Sequence, residues 1–124
     1  MQKRSVAGLG ETEMEVLNHV WRLQNATVSD VHESMRSYRK VAYTTVMTIM
    51  KKLADKGLLR IEKEGVSYRY FPTRTEAEVK AELAGSFVSS VFGNSRVQLV
   101  QTLVKRENLS TAEIEELKKL IGDL

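Results

Sequence analysis

The chain has 124 residues, 42% of them hydrophobic, with one proline, no cysteine and a net charge of +3. Such a length suits one domain or a small domain with an appendage, and the composition argues against a disordered chain. The missing cysteines exclude disulfides and thiolate metal sites, no window approaches the ~18 consecutive apolar residues of a membrane span, and the opening MQKRSVAGLGETEM lacks the apolar run of a secretory signal, so the expected setting is a reducing cytoplasm.

Gly10 or Thr12 opens the first periodic segment, where Met14, Leu17, Val20 and Trp21 recur at helical spacing up to about Gln24-Asn25. Thr27 is a natural N-cap for a short second helix, with Asp30 three residues on and Val28, Val31 and Met35 on its buried side. A polar, basic linker, Arg36 to Lys40, leads to a third helix from about Ala42 to Lys56. Its apolar stripe is Val46, Ile49, Met50 and Leu53; its opposite stripe is Thr44, Thr45, Thr48, Lys51, Lys52 and Asp55. Gly57 ends it, because glycine takes the left-handed conformation without a Cβ clash. The period then drops to two: Leu59, Ile61 and Lys63, a turn at Glu64-Gly65-Val66, then Tyr68, Tyr70 and Pro72, which spells a β-hairpin. From Arg74 the pattern is helical again, with Val79, Leu83, Phe87 and Val91 every fourth residue. Gly93-Asn94-Ser95 breaks it; Val97, Val100, Leu103 and Val104 mark a further helix; Asn108 to Thr111 is a loop. Ser110 and Glu113 fit a capping box for a last helix bearing Ile114, Leu117, Leu120, Ile121 and Leu124.

The expected fold class is mainly α with a small β-hairpin: a winged helix-turn-helix over residues 1–73 and a helical dimerisation region over 74–124. In a helix-turn-helix the recognition helix enters the major groove of DNA, and charge agrees with that. Residues 1–72 carry 12 Lys/Arg and 8 Asp/Glu, net +4; residues 73–124 carry 7 and 8, net −1. Between Arg36 and Lys63 eight basic residues face two acidic ones, net +6, the footprint of a phosphate-binding surface. Hydroxyls on the third helix can donate or accept at base edges, and threonine methyls can meet a thymine methyl. Candidate DNA-binding residues are therefore Arg39, Lys40, Tyr43, Thr44, Thr45, Thr48, Lys51, Lys52, Lys63 and Arg69. The C-terminal apolar residues Leu83, Phe87, Val91, Val100, Leu103, Leu117 and Ile121 are more than about fifty residues can bury alone, and pairing with a second chain suits a palindromic operator.

The stretch VAYTTVMTIMKKLADKGLLRIEKEGVSYRYFPT resembles the penicillinase-repressor family of bacterial winged-helix repressors, as do the opening GLGETEMEVLNHVWRLQNATVSDVHESM and the closing ENLSTAEIEELKKLI. The resemblance implies a homodimeric repressor on an inverted-repeat operator of TACA/TGTA type, dimerised by interlocked C-terminal helices. It puts the base and phosphate contacts of the recognition helix on Thr44, Thr45 and Thr48 and the wing contacts near Lys63 and Arg69. Some members have lysine where this chain has Thr44. In antibiotic-responsive members a sensor-linked protease cuts an Asn-Phe bond; the matching bond here is Thr102-Leu103. Copper-responsive relatives carry a cysteine-rich motif, and this chain has no cysteine.

No catalytic constellation, cofactor or metal site is expected. His19 and His32 belong to no spaced ligand set and read as ordinary, partly exposed side chains, Trp21 as core, and the carboxylates Glu113, Glu115, Glu116 and Asp123 as a solvated helix face. Two other functions share the fold: a winged-helix adaptor for protein contact, which would show an exposed apolar patch on the third helix, and an effector-sensing repressor with a small-molecule pocket.

Overall fold

The structure, a computed structural model, describes residues 8–106 and 109–123. Residues 1–7 of the opening stretch, Asn108 of the expected loop and Leu124 of the last apolar face lie outside the described residues. Chain order is α1 (Glu11–Leu23), α2 (Val28–Arg36), α3 (Tyr43–Asp55), β1 (Leu59–Glu64), β2 (Ser67–Pro72), α4 (Glu76–Phe92), α5 (Arg96–Arg106) and α6 (Thr111–Gly122). The chain divides into two compact units, Met1–Leu83 and Ala84–Leu124.

The first unit has a continuous apolar centre. Val16, Leu17 and Val20 of α1 meet Val31 and Met35 of α2 and Val46, Met50 and Leu53 of α3, all essentially without solvent exposure. Helical spacing puts each set on one side of its helix, which is why the third helix's polar stripe ends up outside. Ile49, expected on the apolar stripe, is half-buried against this core, and so is Trp21, whose indole N–H donates to the Arg74 carbonyl at 3.0 Å. Val79 of α4 is fully buried in the same core and Leu83 packs half-buried against it.

Local chemistry sets the helix ends. The Gly10 N–H donates to the Glu13 carboxylate at 3.0 Å at the start of α1. That carboxylate also takes Lys56 Nζ at 2.9 and 3.0 Å, fastening the end of α3 to the start of α1. Thr27 and Asp30 cap α2 reciprocally, Asp30 N–H to Thr27 Oγ1 at 3.1 Å and Thr27 N–H to Asp30 Oδ2 at 3.0 Å. Gly57, at φ +79°, turns the chain out of α3 into β1.

The hairpin is antiparallel, registered from Leu59 opposite Pro72 to Glu64 opposite Ser67. Two residues close it, and Gly65 at the first central position has φ +61°, the sign that position needs in a tight hairpin. A further pairing had no sequence signal: Ala26, between α1 and α2, bridges Tyr70, with Tyr70 N–H to Ala26 O at 2.8 Å and Ala26 N–H to Tyr70 O at 3.0 Å. The base of the wing is thus anchored on both sides, since Leu59 and Tyr70 are buried while Ile61, Val66 and Tyr68 project into solvent.

In the second unit Gly93 and Asn94 carry positive φ, and Ser95 Oγ accepts from Gln98 N–H at 3.0 Å to start α5. Ser110 and Glu113 cap α6 reciprocally at 3.1 Å each way. No residue of α6 is buried among those described.

Candidate nucleic-acid interface

The α2-turn-α3 segment presents the face expected of a recognition helix. Thr44, Thr45, Thr48, Lys51 and Lys52 are all exposed, while Val46, Met50 and Leu53 behind them are sealed. Ala42 caps α3 without a side-chain hydrogen bond, and the first intrahelical donors to it are Thr45 and Val46. The N–H groups of Tyr43 and Thr44 therefore sit at the positive end of the helix without a side-chain cap, where an anion is favoured. Thr48 differs from its neighbours: its hydroxyl donates to the Thr44 carbonyl at 2.9 Å, so it offers an incoming ligand lone pairs and a methyl but no proton.

The turn before α3 is braced by polar contacts. His32 Nε2 donates to the Val41 carbonyl at 2.8 Å, and the Tyr43 ring meets the His32 ring edge-on at 5.6 Å. Arg39 forks onto Glu15 of α1, Nε to Oε2 at 3.1 Å and Nη2 to Oε1 at 2.8 Å. The Tyr38 hydroxyl donates to the same carboxylate. Behind it lies His19, which is buried rather than partly exposed: α1 turns it inward, where α2 and the turn cover it. Arg22 donates to its Nδ1 at 2.8 Å, and the Ser34 hydroxyl lies 2.9 Å from the same nitrogen, so Nε2 carries the proton and donates to Tyr38 at 2.8 Å. The two rings stack 10° from parallel.

This chain of groups shifts proton affinities. Arg39 holds the Glu15 carboxyl below the usual carboxylate value against the opposing effect of burial, with help from Tyr38. Burial, then the Arg22 charge, pushes His19 below the ordinary 6.5. Burial opposes the Glu13 shift, but Lys56 and the Gly10 N–H outweigh it and the net direction is down. The sequence reads His19 only as an ordinary side chain and does not single out Glu15 or Tyr38, because nothing in their spacing along the chain announces that they meet.

On the wing, Arg69 is held by Glu64 (2.8 Å), the Asn25 amide oxygen (2.9 Å) and Asp30 (3.7 Å), which lifts its pKa through Glu64 first. Lys63, on the exposed part of β1, stands opposite Tyr68. Among the described residues no ion-pair partner is recorded for Lys40, Lys51 or Lys63, whereas Arg39 and Arg69 are both engaged within the protein. No group of His, Asp and Glu among the described residues could hold a metal, and no helix there is long and apolar enough to cross a membrane.

In the second unit Val100 and Leu103 of α5 and Leu117 and Leu120 of α6 line an apolar groove of about 340 Å³. Each is more than a third exposed. Phe87 and Val91 of α4 and Ile121 of α6 are exposed too, Phe87 resting edge-on against Phe92 at 5.7 Å. Thr102 is exposed on α5 and donates its hydroxyl to the Gln98 carbonyl at 2.8 Å, so the Thr102-Leu103 bond lies within regular helix.

Comparison with known proteins places this architecture. Residues 9–123 match the family model described as penicillinase repressor. The transcriptional regulator BlaI of Mycobacterium tuberculosis is 31% identical over 119 residues, covering 94% of this chain and 84% of that protein. The methicillin resistance regulatory protein MecI of Mammaliicoccus sciuri is 26% identical over 114 residues, covering 92% and 93%. The solution structure of the Bacillus licheniformis BlaI monomeric form in complex with the blaP half-operator superposes with a TM-score of 0.51 at 23% identity, covering 60% of this chain and 90% of that one, which bears out the winged-helix fold.

Proposed function

This chain belongs to the penicillinase repressor family, and on that premise we propose that it is a homodimeric transcriptional repressor that binds an inverted-repeat operator in double-stranded DNA. One observation carries the reading: the exposed face of α3 holds Thr44, Thr45, Thr48, Lys51 and Lys52 and no apolar patch, opposite the buried Val46, Met50 and Leu53. An adaptor surface would be apolar there. A structural relative is described in complex with a half-operator.

Thr44 and Thr45 meet base edges, with Thr48 as acceptor and methyl contact. Lys40, Lys51, Lys52 and Lys63 neutralise phosphates, and the open N–H groups of Tyr43 and Thr44 receive another. Arg39 and Arg69 act one step back, Arg39 fixing the turn through Glu15 and Arg69 fixing the wing through Glu64 and Asp30. The exposed apolar side chains of α4, α5 and α6 are covered by the same helices of a second copy, so two recognition helices read the two half-sites of one operator. Regulation by a sensor-linked protease would require α5 to unwind at Thr102-Leu103, because that bond lies within a helix. The protein works in the cytoplasm, where its DNA is.

Binding to a duplex carrying its operator, followed through a salt titration, tests the reading. The affinity is expected to fall steeply, with a log-log slope of about −0.9 for each phosphate neutralised. A flat response, or equal affinity for operator and unrelated duplex at every salt concentration, overturns it.

A further inference from the structure

Between the start of α2, the outer face of α3 and the wing lies a cleft of about 240 Å³. Its polar lining is Thr27 and Ser29 at the start of α2, Tyr43 and Lys51 from α3, and Ser67, Tyr68 and Tyr70 from β2, with no carboxylate among the lining residues. Taken at ~30 Å³ per water in the liquid, the space holds about eight waters, enough for a tetrahedral anion with some of its hydration.

Tyr70 is the telling group. It is 2% exposed, and among the described residues its hydroxyl has no hydrogen-bond partner in the protein. No side-chain polar atom among the described residues is sealed away unpaired, so this hydroxyl opens onto the cleft that its ring lines. An apolar ring would pack as well at the base of the wing. The hydroxyl is the part of this otherwise buried side chain that reaches the cleft, where it can donate to a group seated there. Burial raises its pKa, and the neighbouring Tyr43 and Tyr68 hydroxyls raise it further, so it remains a protonated donor throughout the physiological range.

Beside the apolar Val28, Met47 and Val66, the other polar lining groups are of the same character. Phenols and the Ser29 hydroxyl can all donate, Lys51 supplies a positive charge, and the N–H groups of Val28 and Ser29 begin a nine-residue helix. Asp30 is the nearby negative charge. Its Oδ2 is occupied by the Thr27 N–H at 3.0 Å and lies 3.7 Å from Arg69 Nη1, so Arg69 offsets it. A cleft with several hydroxyl donors, one lysine and no carboxylate fits a group that only accepts hydrogen bonds and carries negative charge. We propose that this cleft seats one phosphodiester of the DNA backbone, between the base contacts of the recognition helix and those of the wing, with Tyr70 as the donor at its floor. The proposal rests on the DNA-binding reading above and adds to it a specific seat.

The test is a methylphosphonate walk along an operator duplex, neutralising one phosphate at a time, against the wild-type chain and Tyr70→Phe. Tyr70→Phe keeps the packing and is expected to weaken binding about ten- to a hundredfold, the loss of one hydrogen bond to a charged acceptor, equally on operator and unrelated duplex. At one phosphate, neutralisation should weaken the wild type and leave Tyr70→Phe unaffected. The inference is overturned if Tyr70→Phe binds like the wild type, or if no phosphate loses its effect in the variant. It is also overturned in favour of a free phosphate ligand if inorganic phosphate shifts the Val28 and Ser29 amide signals in the wild type only, while the walk shows no such coupling. A wild-type chain that binds no duplex ends the DNA-binding reading itself, a result distinct from a wild type that binds and a variant that matches it.

Discussion

The two units of this chain use similar helices to opposite ends. In the first, α1, α2 and α3 each turn an apolar trio inward and leave hydroxyls and lysines outside. In the second, the equally apolar α5 and α6 enclose almost nothing: Val97, Val100, Leu103, Leu120 and Ile121 are each between 46% and 68% exposed. Amphipathicity is the same local property in both, but what it accomplishes depends on whether three faces converge within one chain or wait for another. The lesson concerns division of labour. The face of α3 proposed to read DNA is backed by a core that the first unit completes alone, whereas the apolar faces of α5 and α6 stay exposed.

Four experiments test that contrast. The largest effect is expected from Leu103→Asp, which places a charge in the groove between α5 and α6: the protein should sediment as a monomer and lose tight operator binding, while the first unit unfolds as before. A dimer of unchanged mass would show that the exposed helices are not what pairs. Next, Leu53→Ala in the closed core should cost about 2–5 kcal/mol in urea unfolding, whereas Leu103→Ala should scarcely move that transition; equal losses would erase the difference between the units. Third, Thr45→Ala should weaken operator binding by about 1–3 kcal/mol if its hydroxyl meets a base, with no change in oligomeric state or melting temperature. The same loss on random duplex would reassign Thr45 to the backbone.

The smallest effect is a pH dependence confined to the first unit. His19 has a lowered pKa in the folded state, so the unfolded chain binds its proton first and stability declines as pH falls below about 6.5. Glu13 and Glu15, both lowered from 4.5, act in the same direction further down: their contribution is complete above 4.5 and is lost as pH drops through the folded values. Thermal melts from pH 8 to pH 5 should show the upper step in the wild type and a flatter curve in His19→Gln. An unchanged step in that variant would place the titration elsewhere.

Much of this architecture could be read along the chain because it rests on neighbours. The apolar spacing of Val46, Met50 and Leu53, the paired caps Thr27/Asp30 and Ser110/Glu113, the glycine exit at Gly57 and the two-residue period around Gly65 involve groups a few positions apart, and short-range sterics and hydrogen bonding suffice to define them. The exposed threonines of α3 followed from the same periodicity. Other features needed the folded chain. Nothing near His19 in sequence foretold its burial against Tyr38, nor that Arg39 would reach back 24 residues to Glu15. The alternation of β2 could not say that Tyr70 would be sealed and Tyr68 exposed, since that asymmetry comes from Ala26 pairing on one side of the wing. Periodicity assigns a residue to a face, and only the packing of distant segments determines what that face meets, because burial and electrostatic pairing depend on distance in space.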